Sequence, residues 1–131
     1  MQDKTNISTG TQAEGFVSGL LASKGAWVGD FNKGNSGSQP FDQIAITNKF
    51  VFCYDVKHCK EDRFDFSRVE YNQTLSLTFI SEIDNPMVIE GFALVYEDEV
   101  YFLSWYQYQM LLAETRKSVK VSTLPLLKEV I

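Results

Sequence analysis

FDQIAITNKFVFCYDVK, residues 41–57, decides how this chain is read. Two short apolar stretches flank Asn48-Lys49, and asparagine tolerates the positive φ that tight hairpin turns use. With those two residues as the loop, Ile46 faces Val51, Ile44 faces Cys53 and Asp42 faces Asp55. Side chains alternate along a strand, so Lys57 shares the face of Asp55 while Val56 points away. Two carboxylates and an ammonium then gather at the open end of a hairpin whose other same-face residues are apolar. Facing carboxylates repel, and an apolar flank raises the cost of keeping both ionised. A divalent cation would remove that cost, which points to a metal-dependent phosphodiesterase centre. Isolated Asp-x-Lys triplets also occur at solvated strand ends. The reading therefore leans on Asp42 and on two further polar residues, Glu14 and Gln73.

Upstream, residues 1–10 are polar and expected to be frayed. A helix is expected from Gln12 to Ser23, with Thr9 or Thr11 as its cap and Lys24-Gly25 as its stop. Its apolar positions are Ala13, Phe16, Val17, Leu20 and Leu21. Glu14 lies along one edge of that stripe. It reads either as a first-turn acid favoured by the helix dipole or as a third carboxylate aimed at the cation. Ala26 to Gly29 follow as a short strand. Asn32 to Pro40, NKGNSGSQP, is a loop that leads straight into Asp42 and carries no phosphate-loop pattern.

Downstream, His58 to Asp65 read as a polar loop over the site. Ser67-Arg68-Val69-Glu70 has the spacing of a capping box and starts a second helix that runs to Ile80 or Ser81. Its apolar stripe is Phe66, Val69, Leu77 and Ile80, and Gln73 fills the gap. A core-facing amide needs partners, either backbone groups or the carboxylates and the attacking water. Asn85-Pro86 marks a turn. Met87 to Tyr96 and Val100 to Trp105 read as antiparallel strands around Glu97-Asp98-Glu99, and Ser104 starts a helix reaching Thr115. The tail, residues 117–131, holds Leu124, Leu126, Leu127, Val130 and Ile131, which must pack on the body or on a second chain. The order of elements predicts an α/β fold, a mixed sheet flanked by helices.

At 131 residues the chain is expected to form a single domain, 1–131, with room for a sizeable core. Apolar content of 44% and charged content of 22% are ordinary for a globular protein. No apolar run is long enough to span a membrane and no signal-peptide pattern is present, so a cytoplasmic location is expected. Cys53 and Cys59 suggest no disulfide framework, and with His58 they lack a fourth ligand for zinc. The formal net charge of −5 disfavours a protein that coats nucleic acid, though local clusters decide binding. Those clusters are Lys57, His58, Lys60, Arg63 and Arg68, and later Arg116, Lys117 and Lys120.

Taken in order, these residues resemble the PD-(D/E)xK nuclease superfamily. The likeness spans residues 9–105: a helix carrying Glu14, then Asp42, then Asp55-Val56-Lys57 on the next strand, then Gln73 on a helix. Within that superfamily it looks most like the RecU-type Holliday junction resolvases of Gram-positive bacteria and their phages. A Gly-x-x-x-Glu segment (Gly10 to Glu14) and a Ser-rich lead (Ser36 to Asp42) add to it. The resemblance implies a restriction-endonuclease-like core. It implies Mg²⁺ or Mn²⁺ held by Asp42, Asp55 and the Val56 carbonyl, with Glu14 on a metal water or second ion. It implies that Lys57 orients or deprotonates the attacking water, with Gln73 assisting. It implies branched DNA as substrate, 5′-phosphate products and a homodimer. The chain departs from the family where Phe41 separates Pro40 from Asp42 and where Tyr71-Asn72 replace a histidine. It also departs where residues 31–40 stand in for a long stalk, which bears on junction selectivity more than on cleavage. The competing readings are a non-catalytic DNA- or protein-binding module on such a fold, and a small interaction domain whose polar cluster is incidental.

Overall fold

The computed structural model describes residues 10–31 and 39–131. Elements follow in the order α1 (Gly10–Ser23), β1 (Trp27–Asp30), β2 (Gln43–Ile46), β3 (Val51–His58), β4 (Phe64–Asp65), α2 (Tyr71–Ile83), β5 (Val88–Tyr96), β6 (Glu99–Ser104), α3 (Trp105–Ala113), β7 (Ser118–Val119) and α4 (Leu127–Val130). Five strands form one sheet in the order β1-β2-β3-β5-β6. β3 and β5 run parallel and every other neighbouring pair is antiparallel, so the sheet is mixed. β4 and β7 pair separately.

The central strands explain the continuous apolar runs, since both of their faces are covered. On one face Phe52, Tyr54 and Val56 pack with Ala45, Val95 and Phe102 beneath Ala13, Val17 and Leu21 of α1. On the other, Cys53, Phe92, Leu94 and Leu103 pack against Leu77 of α2 and Trp105 and Tyr108 of α3. The buried stripe of α1 is the i, i+4, i+8 set Ala13, Val17, Leu21, and Phe16 of the expected stripe is exposed. Thr11 lies inside α1 and Thr9 outside the described residues, as do residues 32–38 of the expected loop. Gly25, at φ 90°, ends α1 as expected.

α2 starts later than the sequence suggested. Ser67 sits in a 3-10 turn, Phe66–Arg68, and the cap lies three residues on: the Glu70 amide donates to Gln73 Oε1 at 3.0 Å. Both motifs have the Ser/Glu-x-x-Glu/Gln form, and the burial of Phe66 in the core pulls the first one out of the helix. The tail packs on its own body. Val121, Leu124 and Leu127 are buried, and the Phe102 amide donates to the Pro125 carbonyl at 2.9 Å. The apolar tail therefore gives no reason to invoke a second chain. The expected polar loop after β3 contains buried Cys59 and Phe64, and Asp62 accepts from the Ser122 amide at 2.7 Å, tying loop to tail.

Gly91, mid-strand in β5, has a packing reason. A Cβ there would collide with the Leu103 carbonyl oxygen and sit 2.9 Å from the Phe102 ring. Gly91→Ala is expected to cost about 1–3 kcal/mol by overpacking, read as a lowered urea midpoint with an unchanged slope.

Candidate active site

The hairpin register is the one expected from the sequence: Ile46 pairs with Val51 and Ile44 with Cys53. The loop is Asn48-Lys49, with the Thr47 amide donating to the Phe50 carbonyl at 2.8 Å. The turn chemistry differs from the expectation, because neither loop residue has positive φ. Instead Thr47 Oγ1 accepts from the Lys49 and Phe50 amides at 3.0 and 2.8 Å, so a side chain closes the turn.

The same register carries Asp42 and Asp55 to the open end. Asp42 stands one residue before β2. Its amide donates to the Tyr54 carbonyl at 3.2 Å, and its Oδ2 accepts from the Val56 amide at 2.8 Å. Asp55 is 1% exposed, on the face that packs toward α2 and α3. Lys57 Nζ lies 3.1 Å from Asp55 Oδ2. Neither Asp55 oxygen accepts a hydrogen bond of sound geometry. Burial, and next the Asp42 charge, push the Asp55 carboxyl up to about 8, against the pull of Lys57. The Val56 side chain is buried on the opposite face, as alternation requires.

Glu14 approaches from the other face. It is half-buried on α1, and its carbonyl accepts from Gln43 Nε2 at 3.2 Å. Gln43 is buried and pairs across the hairpin with Tyr54, whose hydroxyl donates to Gln43 Oε1 at 2.6 Å. Burial and the charges of Asp30, Asp42 and Glu14 raise the Tyr54 hydroxyl above its ordinary range. Glu14, Asp30 and Asp42 thus surround one end of the hairpin. Sequence reasoning missed Gln43, Tyr54 and Asp30. The first two read as ordinary strand residues, and Asp30 matters because β1 pairs with β2, setting Asp30 opposite Gln43. Gln73 is buried, but its side-chain oxygen is committed to the Glu70 amide, which is the backbone alternative left open above. The neighbouring Asn72 does reach the site's approach: its Nδ2 donates to the Gln39 carbonyl, three residues before Asp42.

The donor set suits a hard cation in its chemistry. Two carboxyls face each other, and one of them is a buried group with no hydrogen bond. Among the described residues no group of three or more His, Cys, Asp or Glu stands together as a metal cluster. Of the expected basic cluster, Arg63 pairs with Asp65 at 2.9 Å, and Arg68 donates to the His58 carbonyl at 3.0 Å while lying over the Phe64 ring. No helix among the described residues is long and apolar enough to cross a membrane.

No protein-family model and no curated protein matches the chain. Among solved structures, it is similar to Archaeoglobus fulgidus Hjc, a Holliday junction resolvase from an archaeal hyperthermophile. The TM-score is 0.67 at 19% identity, over 92% of this chain and 98% of that one. The likeness is one of fold. What the two share is a five-stranded mixed sheet flanked by helices.

Proposed function

We propose that the protein is a divalent-metal-dependent endonuclease for branched DNA, cutting four-way junctions by paired nicks, in the manner of RecU-type resolvases. The observation that carries this reading is Asp55: a fully buried carboxyl without a hydrogen bond, facing Asp42 and 3.1 Å from Lys57, within this fold. Two facing carboxyls served by one ammonium leave a negative charge that a divalent cation would balance, and a buried unbalanced carboxylate is costly.

Asp42 and Asp55 would hold Mg²⁺ or Mn²⁺, with the Val56 carbonyl and Glu14 beside them. When bound, the cation supplies an acidified water and offsets charge at the phosphate. Asp42, fixed by the Val56 amide, orients that pair of carboxyls. Lys57 has its stem largely buried and its ammonium at the carboxyls, so it is positioned to orient the attacking water and balance the phosphate's charge. Gln73 caps α2 through its side-chain oxygen. Paired nicks require two centres, and one chain carries one, so the reading includes a homodimer.

The test is direct. Labelled four-way junction, linear duplex and single strand are incubated with the protein and Mg²⁺, Mn²⁺ or EDTA. Metal-dependent symmetric nicking of the junction, giving 5′-phosphate ends, is the expected result. Cutting of all three substrates would replace the resolvase with a general nuclease. Binding without cutting would favour the non-catalytic module.

A further inference from the structure

We propose that Tyr54 and Gln43 are positioning residues that register Glu14 of α1 against the acidic pair, an inference that rests on the reading above. The observation is a continuous chain of hydrogen bonds. The Tyr54 hydroxyl donates to Gln43 Oε1 at 2.6 Å, and Gln43 Nε2 donates to the Glu14 carbonyl at 3.2 Å. Both side chains are at most 2% exposed. Each is the immediate chain neighbour of an acid of the pair: Gln43 follows Asp42 and Tyr54 precedes Asp55.

Alternation gives the arrangement its sense. Asp55 points to the α2 side of the sheet and Tyr54 to the α1 side, so β3 carries the site's acid on one face and its brace on the other. Glu14 sits on α1, beyond the sheet. Ala13, Val17 and Leu21 of α1 pack on the sheet through apolar contacts, which are non-directional and so constrain the helix's slide along its own axis less than a hydrogen bond does. A directional bond to the Glu14 carbonyl sets that coordinate. Tyr54 in turn holds the Gln43 amide in the flip that offers its nitrogen to Glu14, since its hydroxyl occupies the oxygen. The neutral pair does this without adding charge among Glu14, Asp30 and Asp42, the acids whose charge reaches the Tyr54 hydroxyl.

Two variants separate this role from plain stability. Tyr54→Phe keeps the ring stacked on Phe52, at 4.5 Å between centroids, and removes only the hydroxyl. Gln43→Met keeps the volume and removes both bonds. Outer-shell changes of this kind typically weaken metal binding 10–100-fold. Tyr54→Phe is therefore expected to bind Mn²⁺ about 10-fold more weakly by calorimetry in the absence of DNA, with KM for the junction unchanged and kcat reduced. Gln43→Met is expected to do the same and to speed amide exchange in the peptide covering residues 10–23, with the sheet still protected. If Gln43→Met does not fold, Tyr54→Phe decides alone. Wild-type Mn²⁺ affinity in a folded Tyr54→Phe would overturn the positioning role and leave the nuclease reading standing. A wild-type protein that binds no Mn²⁺ would overturn both.

Discussion

Asparagine in place of Asp55 is expected to abolish strand cleavage while making the fold more stable than the natural chain at alkaline pH. The two effects have one cause. Asp55 is the acid that the fold buries without a hydrogen bond, so its charge is useful to a cation and costly without one. Losing a carboxylate ligand is expected to lower the cleavage rate on the order of 100-fold or more, with DNA binding retained. A variant that cuts at the wild-type rate would remove Asp55 from the chemistry.

The stability half has a definite sign. The folded-state value for Asp55 is about 8, against 3.8 for the ordinary group. Between those values the native chain holds a proton that the unfolded chain has lost. The contribution to stability is therefore full below pH about 4 and is lost as pH rises through about 8, with a slope of up to about 1.4 kcal/mol per pH unit. Urea midpoints of the metal-free protein at pH 5, 6, 7 and 8 should fall in that order from this source. Asp55→Asn should flatten the trend, since the amide neither charges nor discharges. Adding Mn²⁺ to the natural chain should flatten it too, because a cation takes the proton's place and is bound more tightly as pH rises. A trend that persists unchanged in Asp55→Asn would mean that other groups produce it.

The hairpin was legible because two constraints agreed: period-2 alternation on both sides of a two-residue loop leaves one register. That register alone brought Asp42, Asp55 and Lys57 together. Turn conformation was not legible, since Thr47 closes the loop through its hydroxyl and no propensity for positive φ is used. The start of α2 was misplaced because Ser67 and Glu70 each head an acceptable box, and only the burial of Phe66 decides between them. Gln73 was visible as an amide in an apolar stripe, but which partner it takes depends on where the helix begins. The brace of Tyr54 and Gln43 lay beyond sequence reasoning for a different reason. Its worth comes from α1 crossing the far face of the sheet at that height, which no spacing within the hairpin reports. The tail was read as apolar surface in need of a partner, and β6 supplies that partner through Pro125 and Leu126.

Paired substitution of Leu75 and Phe79 by glutamate is expected to convert the proposed dimer into a monomer without unfolding it. Both lie on the outer face of α2, in the i, i+4 series Tyr71, Leu75, Phe79, Ile83, which are 77, 53, 68 and 59% exposed. The inner face of the same helix, Gln73 and Leu77, makes the core contact, so charges on the outer face leave the fold intact. The stripe presents roughly 500 Å² of apolar surface, near the upper end of what a monomer leaves uncovered. That is more than half of the about 800 Å² each partner gives to a standard interface. No Lys or Arg occurs between Tyr71 and Ile83, so the face offers nothing to neutralise phosphates. A ridge of residues four apart is complementary to itself across a twofold axis, which makes a second copy the occupant that fits. Light scattering coupled to gel filtration should give the dimer mass for the natural chain and the monomer mass for the double variant. Circular dichroism should be the same for both. Nicking by the monomer should persist at reduced rate on one strand of a junction, and the two cuts should no longer be concerted. A natural chain that runs as a monomer at micromolar concentration would assign the stripe to another protein and leave paired nicking without its second centre.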